Sequence, residues 1–148
     1  MIRMRAVAIS LKIPDNEAFT ALAALRRLGV PVAKLERAVI WVFEDNTEAG
    51  FLERISRNEA LFNPNKHVLR ELAEGAPRAG ETWIEELGQH DDLHTYLGAK
   101  PMPGISSGKR RIAWRLFGED GGPVESATLA DAITKLLCNP AIERALTA

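Results

Sequence analysis

A short phrase, Leu-x-Asn-Pro, occurs twice in this chain, and its spacing constrains the fold more than any other feature. One copy ends in Asn63-Pro64 and the other in Asn139-Pro140, so the copies lie 76 residues apart in a chain of 148 residues. Each copy follows an amphipathic stretch, which itself follows a strand-like segment containing a tryptophan. A period that fits twice predicts a duplicated unit. We therefore expect a first half at 1–75, a Gly/Pro-rich connector that begins the second half at 76–104, and its remainder at 105–148.

The first half carries patterns that predict the order β-α-β-α-β. Val7, Ile9, Leu11 and Ile13 alternate with smaller or polar residues, which predicts a strand with these four side chains on one buried face. Pro14-Asp15-Asn16 ends that strand and begins a helix that stops at Gly29. Residues 33–44 predict a bent strand or a short hairpin around 36–38. A helix over 51–61 ends before Pro64, and a strand follows at 66–72.

The second half repeats this order less clearly. Glycine and proline punctuate residues 73–108, which predicts short elements there: a strand at 81–87 and a short helix at 91–97. A strand at 111–117, a helix with Leu129 to Leu137 on one face and a strand at 141–146 complete the half. Thr128 and Asp131 have the spacing of a capping box at the start of that helix. The fold class we predict is α+β, with two tandem ferredoxin-like (βαββαβ) halves packed as an internal pseudo-dimer.

The composition of the chain limits the classes of partner it can bind and the cell compartment in which we expect it. Nineteen basic and twenty acidic residues give a net charge of −1, so the whole chain has no basic field for nucleic acid or an anionic membrane. No window approaches the ~18 apolar residues of a membrane-spanning helix. The N-terminal residues alternate rather than forming the apolar stretch of a secretory signal. The single cysteine excludes an internal disulfide. We expect a cytoplasmic protein.

The residues with reactive or ligating side chains give weak patterns. His90 and His94 are four residues apart, which places both on one helix face where they could share a metal, although a solvated helix start with acidic residues gives the same pattern. Cys138 could act as a nucleophile with His67 or either of the other two histidines as its base, but its position at an apolar helix end favours a packed small residue. We therefore expect no catalytic residue, no metal site beyond this weak histidine pair and no cofactor.

Two further segments suggest anion binding. Residues 104–109 resemble a phosphate-binding loop, yet the glycine spacing of a P-loop is absent and a strand follows rather than a helix. Residues 109–111 and Arg115 form a basic patch that could meet an acidic partner. The alternative explanation is an exposed sheet edge kept soluble by charge. Trp41 and Trp114 lie among apolar neighbours and are expected in the core rather than on a cofactor.

Several of these segments together resemble the PurS family. The segments that carry the resemblance are Leu11-Lys12, the helix end Ala24-Leu25-Arg26-Arg27-Leu28-Gly29, Gly108-Lys109 before a strand, and the Leu-x-Asn-Pro phrases at Asn63-Pro64 and Asn139-Pro140. Members of this family are small accessory subunits of phosphoribosylformylglycinamidine synthase, each a single ferredoxin-like unit about half this length. The resemblance implies a non-catalytic subunit of purine biosynthesis that bridges a glutaminase and a synthetase, and these motif residues are then structural or interface residues.

Two alternatives share the same order of elements. A tandem ACT-like regulatory module would bind a small metabolite between its copies, and a small α+β-barrel enzyme would direct Trp, His or Tyr into a barrel. Fold alone does not separate these functions. The protein partners are expected to be the glutaminase and synthetase subunits, with a homo-oligomer also possible.

Overall fold

The computed structural model describes residues 3–45, 50–73, 75–88, 92–93 and 105–148. The strands are β1 (Arg3–Leu11), β2 (Lys34–Asp45), β3 (His67–Leu72), β4 (Glu81–Glu86), β5 (Ile105–Phe117) and β6 (Glu143–Thr147). The helices are α1 (Asn16–Arg27), α2 (Phe51–Ser56) and α3 (Ser126–Ala132), and α3 continues into a π-helical turn (Ile133–Leu137). The predicted α+β class is confirmed.

The strands form a six-stranded sheet in the order β3-β1-β2-β5-β4-β6. β1 pairs antiparallel with both β2 and β3, and β4 pairs antiparallel with both β5 and β6. The first strand of each sequence half therefore lies between the two later strands of the same half. In this order β3 and β6 are the edge strands, and β5 is an interior strand.

The chain divides into two compact units that interleave in sequence. Unit 1 comprises Met1–Ile13, Val39–Gly75 and Gly88–Arg110. Its core is a cluster of ten buried side chains centred on aromatic rings. The rings of Trp41 and Phe43 stack in parallel with centroids 5.6 Å apart, and Phe51 of α2 meets Phe43 edge-on at 5.8 Å. Burial of these large rings on the α2 side of the sheet is the main apolar contribution to the stability of unit 1.

Unit 2 comprises Pro14–Ala38, Ala76–Leu87 and Arg111–Ala148, so it contains α1 from the first sequence half together with α3 from the second. Its core is aliphatic. Leu25 of α1 and Leu116 of β5 are fully buried, and Leu129 and Ala132 of α3 pack in the same cluster. The two units thus have cores of different chemistry.

Helix α1 begins and ends where the sequence predicts. The Asp15 side chain accepts hydrogen bonds from the backbone N–H groups of Glu17 (2.9 Å) and Ala18 (3.2 Å), which satisfies two of the free donors at the helix start. At the other end Leu28 caps the helix and Gly29 has φ +83°, the left-handed conformation that glycine adopts without strain. Both ends confirm the prediction.

Three predictions in the first half are wrong or need correction. Strand β1 ends at Leu11, and Leu11 and Ile13 are exposed rather than part of a buried face. The expected hairpin around residues 36–38 does not form, because β2 runs without interruption from Lys34 to Asp45. Helix α2 covers only Phe51–Ser56, and residues 57–61 form turns that still bury Leu61. Strand β3 confirms the strand predicted at 66–72.

In the second half β4 and β6 confirm the predicted strands. Strand β5 begins at Ile105, six residues before the predicted start, so residues 105–109 are strand and not a phosphate-binding loop. The predicted capping box is wrong, because Glu125 is the N-cap of α3 and Thr128 lies inside the helix. Residues 94–97 of the predicted short helix at 91–97 lie outside the described residues.

Among the described residues, no helix combines the length and the apolar character needed to cross a membrane.

Candidate functional site

The first Asn-Pro turn (residues 63–67) is organised by the side chain and backbone of Asn63. The Asn63 carbonyl accepts hydrogen bonds from the N–H groups of Lys66 (3.0 Å) and His67 (2.8 Å). Its side-chain Oδ1 accepts the N–H of Asn65 at 2.9 Å, and its own N–H donates to Nδ1 of His67 at 3.0 Å. Asparagine suits this position because its short amide replaces a backbone acceptor in a turn. Strand β3 then begins at His67.

The second Asn-Pro turn (residues 139–143) makes the same bonds. The Asn139 carbonyl accepts from Ile142 (3.1 Å) and Glu143 (2.8 Å), and its Oδ1 accepts the N–H of Ala141 at 3.1 Å. The Asn139 N–H donates to Oε1 of Glu143 at 2.8 Å. Strand β6 begins at Glu143, four residues after the asparagine, as β3 does in the first turn. The repeated phrase thus encodes one backbone arrangement at two places.

The chain next to each turn is also held in the same way, but its side chains differ. Lys12 donates its N–H to the Lys66 carbonyl at 2.8 Å, and Leu87 donates its N–H to the Ile142 carbonyl at 2.8 Å. Lys12 also reaches the Pro64 carbonyl with Nζ at 2.6 Å. Both lysines are exposed, whereas Leu87 and Ile142 are apolar and 49% and 59% exposed. The first turn has a basic surface and the second an apolar one.

The remaining motif residues of the sequence resemblance have structural positions. Gly108 lies inside β5 against the core of unit 1, where a Cβ would stand 2.9 Å from Cδ1 of Phe43 and 3.2 Å from Cβ of Leu93. Only a glycine allows this close approach without a shift of the aromatic ring. Lys109 follows it in β5 and is half-buried. The basic patch beginning there belongs to an interior strand, so the edge-strand explanation is wrong.

A buried carboxylate in unit 2 gathers two arginines from separate strands. Glu85 of β4 is 4% exposed; Arg111 of β5 donates Nε to its Oε2 at 2.8 Å, and Arg144 of β6 contacts its Oε1. Burial raises the pKa of Glu85, but the hydrogen bonds and charges of the two arginines outweigh it and hold the pKa below its ordinary value. Glu85 is therefore an ionised structural anchor. Sequence analysis missed this cluster because its members are 26 and 59 residues apart.

Trp83 and Cys138 are two further residues of unit 2 that carry a buried donor and a thiol, respectively. Trp83 lies between Glu81 and Glu85 along β4, is 1% exposed, and its Nε1 has no hydrogen-bond partner among the described residues. Burial and the charge of Glu143 raise the pKa of the Cys138 thiol, which lowers its thiolate fraction. His67, the proposed base, instead accepts the Asn63 N–H within its own turn. Among the described residues the geometry therefore offers no base that activates Cys138, and the other two histidines, His90 and His94, lie outside those residues.

A groove of about 420 Å³ lies in unit 2 between α1, β5 and the π-helical turn. One end is polar and is lined by Asn16, Glu17 and Thr20 of α1. The rest is apolar, and its wall includes Trp114, which also packs against the aliphatic core of unit 2 as the sequence predicts. Trp114 is only half-buried, so part of the indole faces this space. Volumes of ~300–1,000 Å³ are typical of small-molecule sites.

The weak metal candidates His90 and His94 lie outside the described residues. Within the ranges that the structure does describe, no group of three or more His, Cys, Asp or Glu side chains is arranged to hold a metal ion. No protein-family model matches the chain, and no curated protein matches it.

Proposed function

We propose that this protein is a non-catalytic accessory subunit, similar to a fused dimer of the PurS family, that bridges the glutaminase and synthetase subunits of phosphoribosylformylglycinamidine synthase. The observation that carries the proposal is the identical hydrogen bonding of the two Asn-Pro turns. Because family members are single units that associate, a chain with two equivalent units would supply both in one polypeptide.

The strand pairing supports the duplication independently of the turns. Ala8 in β1 pairs with Arg70 in β3, and Trp83 in β4 pairs with Leu146 in β6. Arg70 and Leu146 are separated by 76 residues, the same distance as the two asparagines. On this basis Trp83 is the counterpart of Ala8, and β4 of β1.

The second pairing of each central strand extends the correspondence. Ala8 also pairs with Ile40 in β2, and Trp83 also pairs with Ala113 in β5. The residues that follow are Trp41 and Trp114, so the two tryptophans occupy equivalent positions in this alignment. A duplicated ferredoxin-like unit accounts for all of these equivalences with one event.

The difference between the turns supports a bridging role. A subunit that joins two unlike proteins needs two unlike contact surfaces, and a basic surface at Lys12 and Lys66 differs in chemistry from an apolar one at Leu87 and Ile142. Exposed apolar side chains at a protein surface mark contact sites when they cluster, whereas single ones are ordinary. In this proposal each turn contacts a different subunit.

The test is co-purification of the tagged chain with the glutaminase and the synthetase of its host. We expect both subunits to bind. Lys12→Leu is expected to weaken one of them and Leu87→Lys the other, because each change gives one turn the character of its counterpart. Phe19→Lys, which alters a side chain that is 74% exposed on α1, is the control and should leave both interactions intact.

Thermal unfolding of each variant confirms that the fold is retained. The proposal fails if neither subunit co-purifies and if removal of the gene causes no purine requirement. Loss of both subunits in either variant alone would contradict the assignment of one partner to each turn.

A further inference from the structure

The carboxylate that lines the polar end of the groove, Glu17, shares a cation with Asp15, which lies outside the lining. Arg37 of β2 is the nearby cation; its Nη2 lies 2.8 Å from Oε2 of Glu17 and its Nη1 lies 3.8 Å from Oδ2 of Asp15. Two carboxylates thus share one guanidinium. The Glu17 side chain remains 69% exposed, so it is open to a further hydrogen-bond donor. A ligand with N–H groups is the complement of this end.

The hydrogen bonding of Arg37 is also incomplete. Its Nε is buried and finds no hydrogen-bond partner among the described residues, although the side chain as a whole is 17% exposed. A buried donor without a partner costs roughly 1–3 kcal/mol. The guanidinium carbon lies 5.5 Å from the centroid of the Trp114 ring. Arg37 therefore joins two residues that line the groove, Glu17 and Trp114, although it is not part of the lining itself.

The apolar part of the groove suits a flat ring. Trp114 supplies an indole that is only partly covered, and Ala21 and Ala24 of α1 face the same space with methyl groups only. Leu137 closes the wall from the π-helical turn. Aromatic side chains favour offset or edge-on contact with a second ring. Small side chains opposite an aromatic wall leave room for such a ring.

The π-helical turn is a second feature of this wall. The Cys138 N–H donates to the carbonyl of Ile133, five residues earlier, at 3.2 Å. This wider turn carries Leu136 and Leu137 into the lining of the groove. Insertions of this type in α-helices occur frequently at functional sites, since they displace side chains from regular helical spacing.

We propose that the groove binds a small aminoheteroaromatic molecule, with its ring against Trp114 and its amine toward Glu17. The volume of about 420 Å³ accommodates a molecule of nucleoside size. The site lies within unit 2 and does not depend on the proposed assembly role. It would give an accessory subunit the means to respond to a metabolite.

Adenosine and purine riboside are a matched pair of probes, because they differ only in the exocyclic amine. We expect adenosine to raise the unfolding temperature of the full chain and to bind in calorimetric titration. Purine riboside is expected to bind at least tenfold more weakly, since it offers no amine to Glu17. Equal binding of the two, or no binding of adenosine at millimolar concentration, would overturn the proposal.

Two substitutions on α1 locate the binding. Ala24→Leu fills the groove and is expected to abolish the adenosine response, whereas Ala23→Leu, at the neighbouring position outside the lining, leaves it unchanged. If Ala24→Leu fails to fold, Trp114→Leu removes the aromatic wall and is expected to weaken adenosine at least tenfold. Glu17→Gln should reduce the difference between adenosine and purine riboside. Binding that survives both groove variants places the ligand elsewhere and refutes the site.

Discussion

The two Asn-Pro turns have the same backbone hydrogen bonds and different surfaces. In both, the asparagine carbonyl accepts from the third and fourth residues after it, and its side chain accepts from the second. The side chains beside the first turn are those of Lys12 and Lys66. Beside the second turn they are those of Leu87 and Ile142. The comparison teaches that the turn geometry constrains only Asn and Pro. The neighbouring side chains are free to serve different contacts.

The strands that precede the turns also differ in their side chains. Trp41 of β2 is 2% exposed and stacked on Phe43, whereas Trp114 of β5 is half-buried and borders the groove. Glu85 of β4 is anchored by two arginines. In the first half Trp41 belongs to an aromatic core. In the second half Trp114 borders a cavity, and Glu85 belongs to a charged cluster.

The largest expected effect separates the two tryptophans. Trp41→Ala removes a buried ring and is expected to lower the free energy of unfolding by about 3–5 kcal/mol. Trp114→Ala removes a half-exposed ring and should cost about 1–2 kcal/mol. Urea denaturation followed by far-ultraviolet circular dichroism measures both without relying on tryptophan emission. Equal losses of unfolding free energy would show that the two tryptophans are equally packed and would contradict the expected difference between them.

The second largest loss of stability is expected at Glu85. The first half of the chain has no such carboxylate anchored by two arginines among the described residues. Glu85→Gln leaves Arg111 without its anion. We expect it to lower the free energy of unfolding by at most ~3 kcal/mol at neutral pH. Breaking a buried ion pair costs about 3–5 kcal/mol, and the effect is smaller here because Arg144 is largely exposed. Because the pKa of Glu85 is lowered in the folded protein, its contribution is complete above the unfolded value near 4.5. It decreases as the pH falls below that value toward the folded pKa.

Urea denaturation at a series of pH values between neutral and acid measures this dependence. The difference in unfolding free energy between the natural protein and Glu85→Gln should be constant above the unfolded pKa and should shrink below it. A difference that grows on acidification has the opposite sign and would contradict a lowered pKa. Glu86→Gln, an exposed neighbour on the same strand, is the control.

The smallest effect tests the equivalence of the turns directly. Asn63→Ala and Asn139→Ala each remove one side-chain acceptor from an exposed turn, and each is expected to cost about 1 kcal/mol. Asn65→Ala alters an exposed side chain with no hydrogen bond among the described residues and should change stability by less than ~0.5 kcal/mol. Chemical denaturation compares the three. A large effect at only one asparagine would mean that the shared geometry has different importance in the two halves.

Local patterns in the sequence predicted the elements well where the residues specify their own backbone. Asp15 and Gly29 bound α1 as expected, and β3, β4 and β6 lie where short apolar or alternating runs predicted them. The errors concern decisions made by distant contacts. Leu11 and Ile13 continue the alternating pattern, but they lie beyond the part of the strand that the core covers. Residues 33–44 predicted a bent strand or a short hairpin, and the structure has one continuous strand, β2, with β1 and β5 as its neighbours in the sheet.

For the candidate sites the division is similar. The repeated phrase predicted both turns, but no sequence signal indicated that Arg111 and Arg144 would converge on Glu85. The groove was missed as well, because α1 and the π-helical turn are more than a hundred residues apart. Irregular helical geometry at residues 133–137 also has no simple sequence signature.

Local sequence patterns are enough to specify the backbone of the two turns, the ends of α1 and the approximate order of strands and helices. These features depend on side chains that bond to their own neighbouring backbone. The tertiary fold decides which helices share a core, how far Trp41 and Trp114 are each covered, and which carboxylate is anchored by arginines. Those outcomes require residues distant in sequence to be brought into contact, and burial and charge pairing act only after that contact is made.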